Sequence, residues 1–126
     1  HLIDGLPGET PEMMIESARQ VGELKPHCVK LHLLHILKGT VLAKQYEKGE
    51  VIPFTKDEYV DIIVRQLEVI PPEVVIQRLT GDGARDALIA PLWSLKKFEV
   101  LNAIDKLMAE RNTYQGEKYE IQNTDI

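Results

Sequence analysis

The sequence predicts an α/β fold of parallel strands joined by crossover helices, forming an arc of a larger parallel barrel. Three observations predict it. Apolar, β-branched stretches alternate with amphipathic ones, and that alternation gives parallel strands with right-handed crossovers. The three strand-bearing units cannot close a barrel, because an eight-unit barrel takes about 250 residues and this chain has 126. An isolated three-stranded parallel sheet would leave one face and both edges poorly covered, which favours the arc over a very small open sheet.

The elements follow in order. Leu2 to Gly5 is short and apolar and runs into the turn Gly5-Leu6-Pro7-Gly8. Thr10 reads as an N-cap, with Pro11 at the first helical position and Glu12 at the positive end of the helix. Met14, Ala18 and Val21 recur at helical spacing until Lys25-Pro26 ends the run. Residues 28–34 are aliphatic enough for a buried strand, broken by Lys38-Gly39-Thr40, with a short helix expected over 41–48. Thr55-Lys56-Asp57-Glu58 is a capping box opening a helix whose stripe is Tyr59, Ile63, Leu67 and Ile70. Pro71-Pro72 stops that helix, and the β-branched run in residues 73–79 is the third strand. A polar turn over residues 80–83 precedes a last helix over about 94–111, with Leu101, Ile104 and Met108 on one face. Residues 1–119 form the folded part, and 120–126 a polar tail expected to fray.

Composition bounds the function. Hydrophobic residues make up 44% and charged residues 28%, which excludes a disordered tail, a collagen-like rod and a disulfide-stapled miniprotein. No apolar run approaches the roughly 20 residues of a membrane helix, and no signal peptide is read at the start, so no membrane partner is expected. The net charge of −5 argues against nucleic-acid binding by bulk electrostatics and leaves only a local basic groove. Cys28 is the single cysteine, which excludes an internal disulfide and any cysteine-ligated cluster built by this chain alone. A reducing, cytoplasmic setting is expected. The chain opens at His1 directly inside an apolar stretch, so a piece of a longer protein is expected.

Side chains alternate between the faces of a strand. In the second strand Val29, Leu31 and Leu33 form a greasy set, whereas Lys30, His32 and Leu34 form a mostly polar one. In a barrel arc that polar face lines a cavity; on an open sheet it is simply solvated. His27, Cys28, His32 and His35 invite a metal site, but His32 and His35 face opposite ways on a continuous strand, so no metal is assigned. The glycine turn lets backbone approach a ligand closely, and it matches neither the P-loop nor the dinucleotide pattern. Arg78, Asp82 and Arg85 gather at the carboxyl end of the third strand, where parallel α/β folds bind ligands; a surface salt-bridge set is the alternative. Trp93 is expected to anchor the last helix on the core.

The stretch Leu2-Ile3-Asp4-Gly5-Leu6-Pro7-Gly8-Glu9-Thr10 resembles the fifth-strand motif of radical S-adenosylmethionine (radical SAM) enzymes. The likeness is to the branch containing oxygen-independent coproporphyrinogen oxidase and the elongator catalytic subunit. Residues 30–40, Gln77-Arg78-Leu79-Thr80-Gly81-Asp82 and residues 88–94 narrow it to the YhcC-like group, often labelled iron–sulfur oxidoreductases. The similarity runs from His1 to about Tyr119.

The resemblance implies the carboxyl half of a partial (β/α)6 barrel. In the family, cysteines at C-x-x-x-C-x-x-C spacing hold a 4Fe–4S cluster, S-adenosylmethionine binds its open iron, and reductive cleavage yields a deoxyadenosyl radical. That motif is absent here, so neither the cluster nor the cofactor is expected to bind this chain alone, and the missing amino-terminal half is the implied partner. Ile3 and Gly5 match the I-x-G element that lies against adenine. Leu34 and His35 match the next strand end, whose backbone contacts adenine in relatives. The acidic position closing the motif is shifted to Glu9. Geometry alone puts Lys30, His32, Arg78 and Asp82 on the substrate side. The elongator-like similarity raises RNA as a substrate, which net acidity does not support. The rival reading is a non-catalytic half-barrel scaffold, dimerising through its exposed strand edges. A histidine-based hydrolase is disfavoured for want of an activated nucleophile.

Overall fold

The structure is a computed structural model and describes residues 1–80 and 85–119, with the backbone alone at Arg85. Asp82, the side chain of Arg85 and the 120–126 tail lie outside the described residues.

The chain begins with β1 (Leu2–Asp4), and the glycine turn leads into α1 (Pro11–Glu23). The Oγ1 of Thr10 accepts from the Met13 amide at 3.2 Å and so caps α1, with Pro11 just inside. β2 (Cys28–Leu33) follows, then β3 (Ile36–Leu37) and α2 (Val41–Glu47), capped by Thr40. The capping box forms in full at α3 (Lys56–Val69): Glu58 donates its amide to Thr55 Oγ1, and the Glu58 carboxylate accepts from the Thr55 amide. β4 (Val75–Arg78), β5 (Leu88–Ala90) and α4 (Lys97–Glu110) complete the order.

β1, β2 and β4 form a parallel three-stranded sheet with β2 in the middle. The alternation read from the sequence holds: Val29, Leu31 and Leu33 are buried, while Lys30 and His32 are only half-buried. The buried set meets Ala18 of α1, Tyr59, Ile63 and Leu67 of α3, and Val100 and Ile104 of α4 in one core. These helices therefore cover a single face of the sheet. Each aliphatic side chain so enclosed contributes about 1.5–3 kcal/mol of transfer free energy. α3 lies deepest, and its buried residues run nearly all round it.

Not every strand is parallel. The second strand stops at Leu33 rather than Leu34, and β3 pairs antiparallel with β5. The physical reason is a second core. Ile36, 1% exposed, leaves the main sheet to pack with Ala43, Val51 and Ala90, under α2. The last helix also starts later than the apolar spacing predicts. Residues Leu92–Leu95 form a 3-10 turn in which Ser94 Oγ donates to the Pro91 carbonyl at 2.7 Å, and α4 proper begins at Lys97. Among the described residues no helix is long and apolar enough to cross a membrane.

Candidate functional site

The sheet face opposite the helices carries the polar residues of β2 and their cross-strand partners. Ile3 lies beside His32, and Lys30 lies beside Arg78. The second pairing depends on a register slip between Val29 and Lys30: Val29 pairs with Ile76, and the next residue of β2 pairs with Arg78. The extra residue on β4 turns Arg78 toward the Lys30 face, the re-aiming that bulges give beside functional sites. Lys30, His32 and Arg78 therefore come together, whereas Asp82 is not among the described residues.

Electrostatics follow from that crowding. Burial pushes the His32 imidazole below the ordinary histidine range, and the positive charges of Arg78, His35 and Lys30 push it further. Burial lowers His35 as well. The opposite-facing arrangement holds for a continuous strand, and His35 lies beyond the end of β2 at Leu33. Both Nε2 atoms are buried without a hydrogen-bond partner. The His1 ring lies 4.9 Å from that of His32. Among the described residues no group of three or more histidine, cysteine or carboxylate side chains is placed to hold a metal, and Cys28 is exposed at the start of β2.

At the carboxyl ends of β1 and β2 the structure gathers Ile3, Gly5, Leu34 and His35. Ile3 is 45% exposed on the open face. The Leu34 amide donates to the Asp4 carbonyl at 2.8 Å, extending the ladder one step past β2. Gly5 adopts φ +103°, and a Cβ there would stand 3.4 Å from Leu34 Cβ and 3.5 Å from the Phe54 ring. The positive φ is what calls for glycine here, since a Cβ would stand at ordinary contact distance from its neighbours. The turn and the 50–54 segment enclose a cavity of about 240 Å³, lined by Gly5, Gly8, Glu9 and Phe54 among others.

Two buried polar side chains escape a reading by motif. Asp4, 1% exposed, accepts at Oδ1 from Gln66 Nε2 at 2.7 Å, and the same amide donates to the Met14 carbonyl at 3.1 Å. Burial pushes the Asp4 carboxyl up to about 7; the Gln66 bond opposes the rise and the Glu9 charge adds to it. An acid closing an apolar strand was the only available signal. Trp93 anchors as its context suggests: its Nε1 donates to the Phe54 carbonyl at 2.9 Å, and its ring lies 5.6 Å from that of Tyr59.

A one-sided helical layer over a parallel sheet, with a glycine turn after its first strand, defines an α/β module. The radical SAM C-terminal domain family matches residues 26–110, and the chain belongs to it. YtqA, an uncharacterized protein of Bacillus subtilis, is 48% identical over 120 residues, which are 95% of this chain and 37% of YtqA. Protein YhcC of Escherichia coli K12 is 33% identical over 110 residues, 87% of this chain and 36% of that protein. An N-terminally truncated Elp3 from the archaeon Methanocaldococcus infernus shares the fold with a TM-score of 0.71 at 19% identity, covering 90% of this chain and 26% of its own. The chain thus spans little more than a third of the length of these curated relatives.

Proposed function

We propose that this chain is the carboxyl-terminal part of a radical SAM protein, and that an upstream segment completes its sheet into a (β/α)6-type barrel. The open face carrying Ile3, Lys30, His32 and Arg78 then becomes the wall of the reaction cavity. The observation that carries this reading is the one-sided cover: α1, α3 and α4 all pack on the Val29, Leu31 and Leu33 face. A free-standing parallel sheet is covered on both faces, whereas a barrel turns one face inward.

The chain's own residues fit the two cofactors of the family differently. They do not fit a 4Fe–4S cluster, because Cys28 is one exposed thiol and such clusters take several thiolates. The cluster ligands are therefore assigned to the upstream segment. Ile3, Gly5, Leu34 and His35 fit the flank of an adenine: an exposed aliphatic side chain, a backbone turn without a Cβ and a strand end converge there. Since the Leu34 amide already donates to Asp4, Leu34 can offer only its carbonyl or side chain to a ligand. When bound, S-adenosylmethionine supplies a carbon radical for hydrogen abstraction. These residues supply position and a water-poor wall.

The test is anaerobic iron–sulfur reconstitution of this chain and of the longer protein containing it, in parallel. The reading expects cluster absorbance and stoichiometric iron in the longer protein only. Iron held stoichiometrically by this chain overturns the ligand assignment, and a longer protein without three closely spaced cysteines upstream favours the scaffold reading, in which the free edges of β1 and β4 pair with a second copy.

A further inference from the structure

The cavity beside Asp4 asks for a group that this chain does not supply. It measures about 260 Å³ and is lined by β1, by Met14 and Ser17 of α1, by Gln66 of α3, and by Glu9. Two acceptors of fully buried side chains in that lining, Asp4 Oδ2 and Gln66 Oε1, have no hydrogen-bond partner. A buried acceptor left unpaired carries a desolvation penalty, and a buried carboxylate carries a larger one.

The side-chain donors of Gln66, Ser17 and Tyr59 are already engaged. Gln66 Nε2 is shared between Asp4 Oδ1 and the Met14 carbonyl. Ser17 Oγ donates to the Met13 carbonyl, and the Tyr59 hydroxyl, close enough to sense the Asp4 charge, donates to the Leu79 carbonyl. The titratable groups lining the cavity are Asp4, Glu9 and His1, and no lysine or arginine is among the lining residues. Two carboxyls and an amide oxygen around one space complement a cation with several N–H donors. The space is far larger than the roughly 30 Å³ share of a water molecule.

The position of the cavity indicates where such a group comes from. Among the described residues β1 pairs with β2 alone and forms one edge of the sheet, and residues 1–4 of that edge line the cavity. YtqA extends well beyond the matched region. We propose that this cavity is a socket for a lysine or arginine side chain of the upstream segment, which seats beside the β1 edge and completes the hydrogen bonding of Asp4 and Gln66. The socket rests on the proposed barrel, since it needs an upstream segment beside β1. It assigns Asp4 to assembly rather than to chemistry.

The experiment is thermal unfolding of the longer protein and its Asp4→Asn variant at pH 5.5 and pH 8. A seated cation keeps Asp4 ionised at both pH values, so the variant melts lower at both, by roughly 5–10 °C at pH 8. An Asp4→Asn protein that at pH 8 melts at or above the parent temperature overturns the socket. Should the variant not fold, aspartate-selective ¹³C NMR titration of the unmodified longer protein decides. The socket expects the assigned Asp4 carboxyl to titrate below about 5, and an Asp4 carboxyl titrating near 7 refutes it. Cluster content, measured on the same samples, keeps the two readings apart. A loaded cluster with a stabilising Asp4→Asn sinks only the socket; an empty one with a destabilising Asp4→Asn sinks only the radical SAM assignment.

Discussion

Gln66 holds Asp4 across the core: one amide group on α3 reaches the last residue of β1 at 2.7 Å and the Met14 carbonyl at 3.1 Å. The bond ties the first strand to the central helix, yet it leaves the carboxyl with a pKa near 7 against an ordinary 3.8. A folded-state pKa raised above the unfolded value means that the folded chain binds the extra proton between those limits. The contribution of Asp4 to the stability of this chain alone is therefore fully present below about pH 4 and is lost as pH rises toward 7, on the order of 4 kcal/mol. Urea denaturation at several pH values checks this. Asp4→Asn is expected to remove that pH dependence and to be more stable than the parent chain at pH 8.

His32 and His35 are expected to stay neutral at pH 7. Burial lowers both, so their folded-state values lie below the ordinary 6.5, and stability is lost as pH falls through that value. Imidazole proton NMR measures each titration. Arg78→Gln removes one positive neighbour of His32 and is expected to raise its pKa part of the way, with His35 unmoved.

Gly5 and Gly8 share one turn, with φ +103° and +84°, but differ in surroundings. A Cβ at Gly5 meets Leu34 and Phe54, whereas one at Gly8 meets nothing within 4 Å. Gly5→Ala should cost about 1–3 kcal/mol in chemical denaturation, and Gly8→Ala less, because φ +103° at Gly5 lies further from the left-handed region that an L residue tolerates.

Trp93 joins the 3-10 turn before α4 to the loop before α3. Trp93→Phe keeps a ring near Tyr59 and deletes the bond to the Phe54 carbonyl, for an expected loss of about 1 kcal/mol. Trp93→Ala also opens a cavity and should cost about 3–5 kcal/mol by the same measurement.

Local signals made much of this fold legible. Thr10-Pro11 and Thr55 to Glu58 carry their helix starts in adjacent residues, and the alternation from Val29 to Leu33 settles which strand face is buried. The β3–β5 pair was not legible. Strands of two and three residues carry no periodicity, and their pairing joins Ile36 to Ala90 across the sequence. Lys30, His32 and Arg78 were expected on one side, the first two from period two and Arg78 from its place at the strand end, but the register slip that pairs Arg78 with Lys30 is encoded by no local pattern. Asp4 and Gln66 were missed because each is polar in an apolar run, and only tertiary packing brings them within a hydrogen bond.

The most direct test is cofactor cleavage by the longer protein that contains this chain. Reconstituted anaerobically, reduced and mixed with S-adenosylmethionine, it is expected to release 5′-deoxyadenosine, detectable by chromatography. Gly5→Val, which fills the turn against Leu34, should lower that yield several-fold while leaving the cluster absorbance unchanged. A protein that carries an intact cluster yet releases no deoxyadenosine, or one in which Gly5→Val leaves the yield untouched, would contradict the assignment of this chain to the cofactor wall.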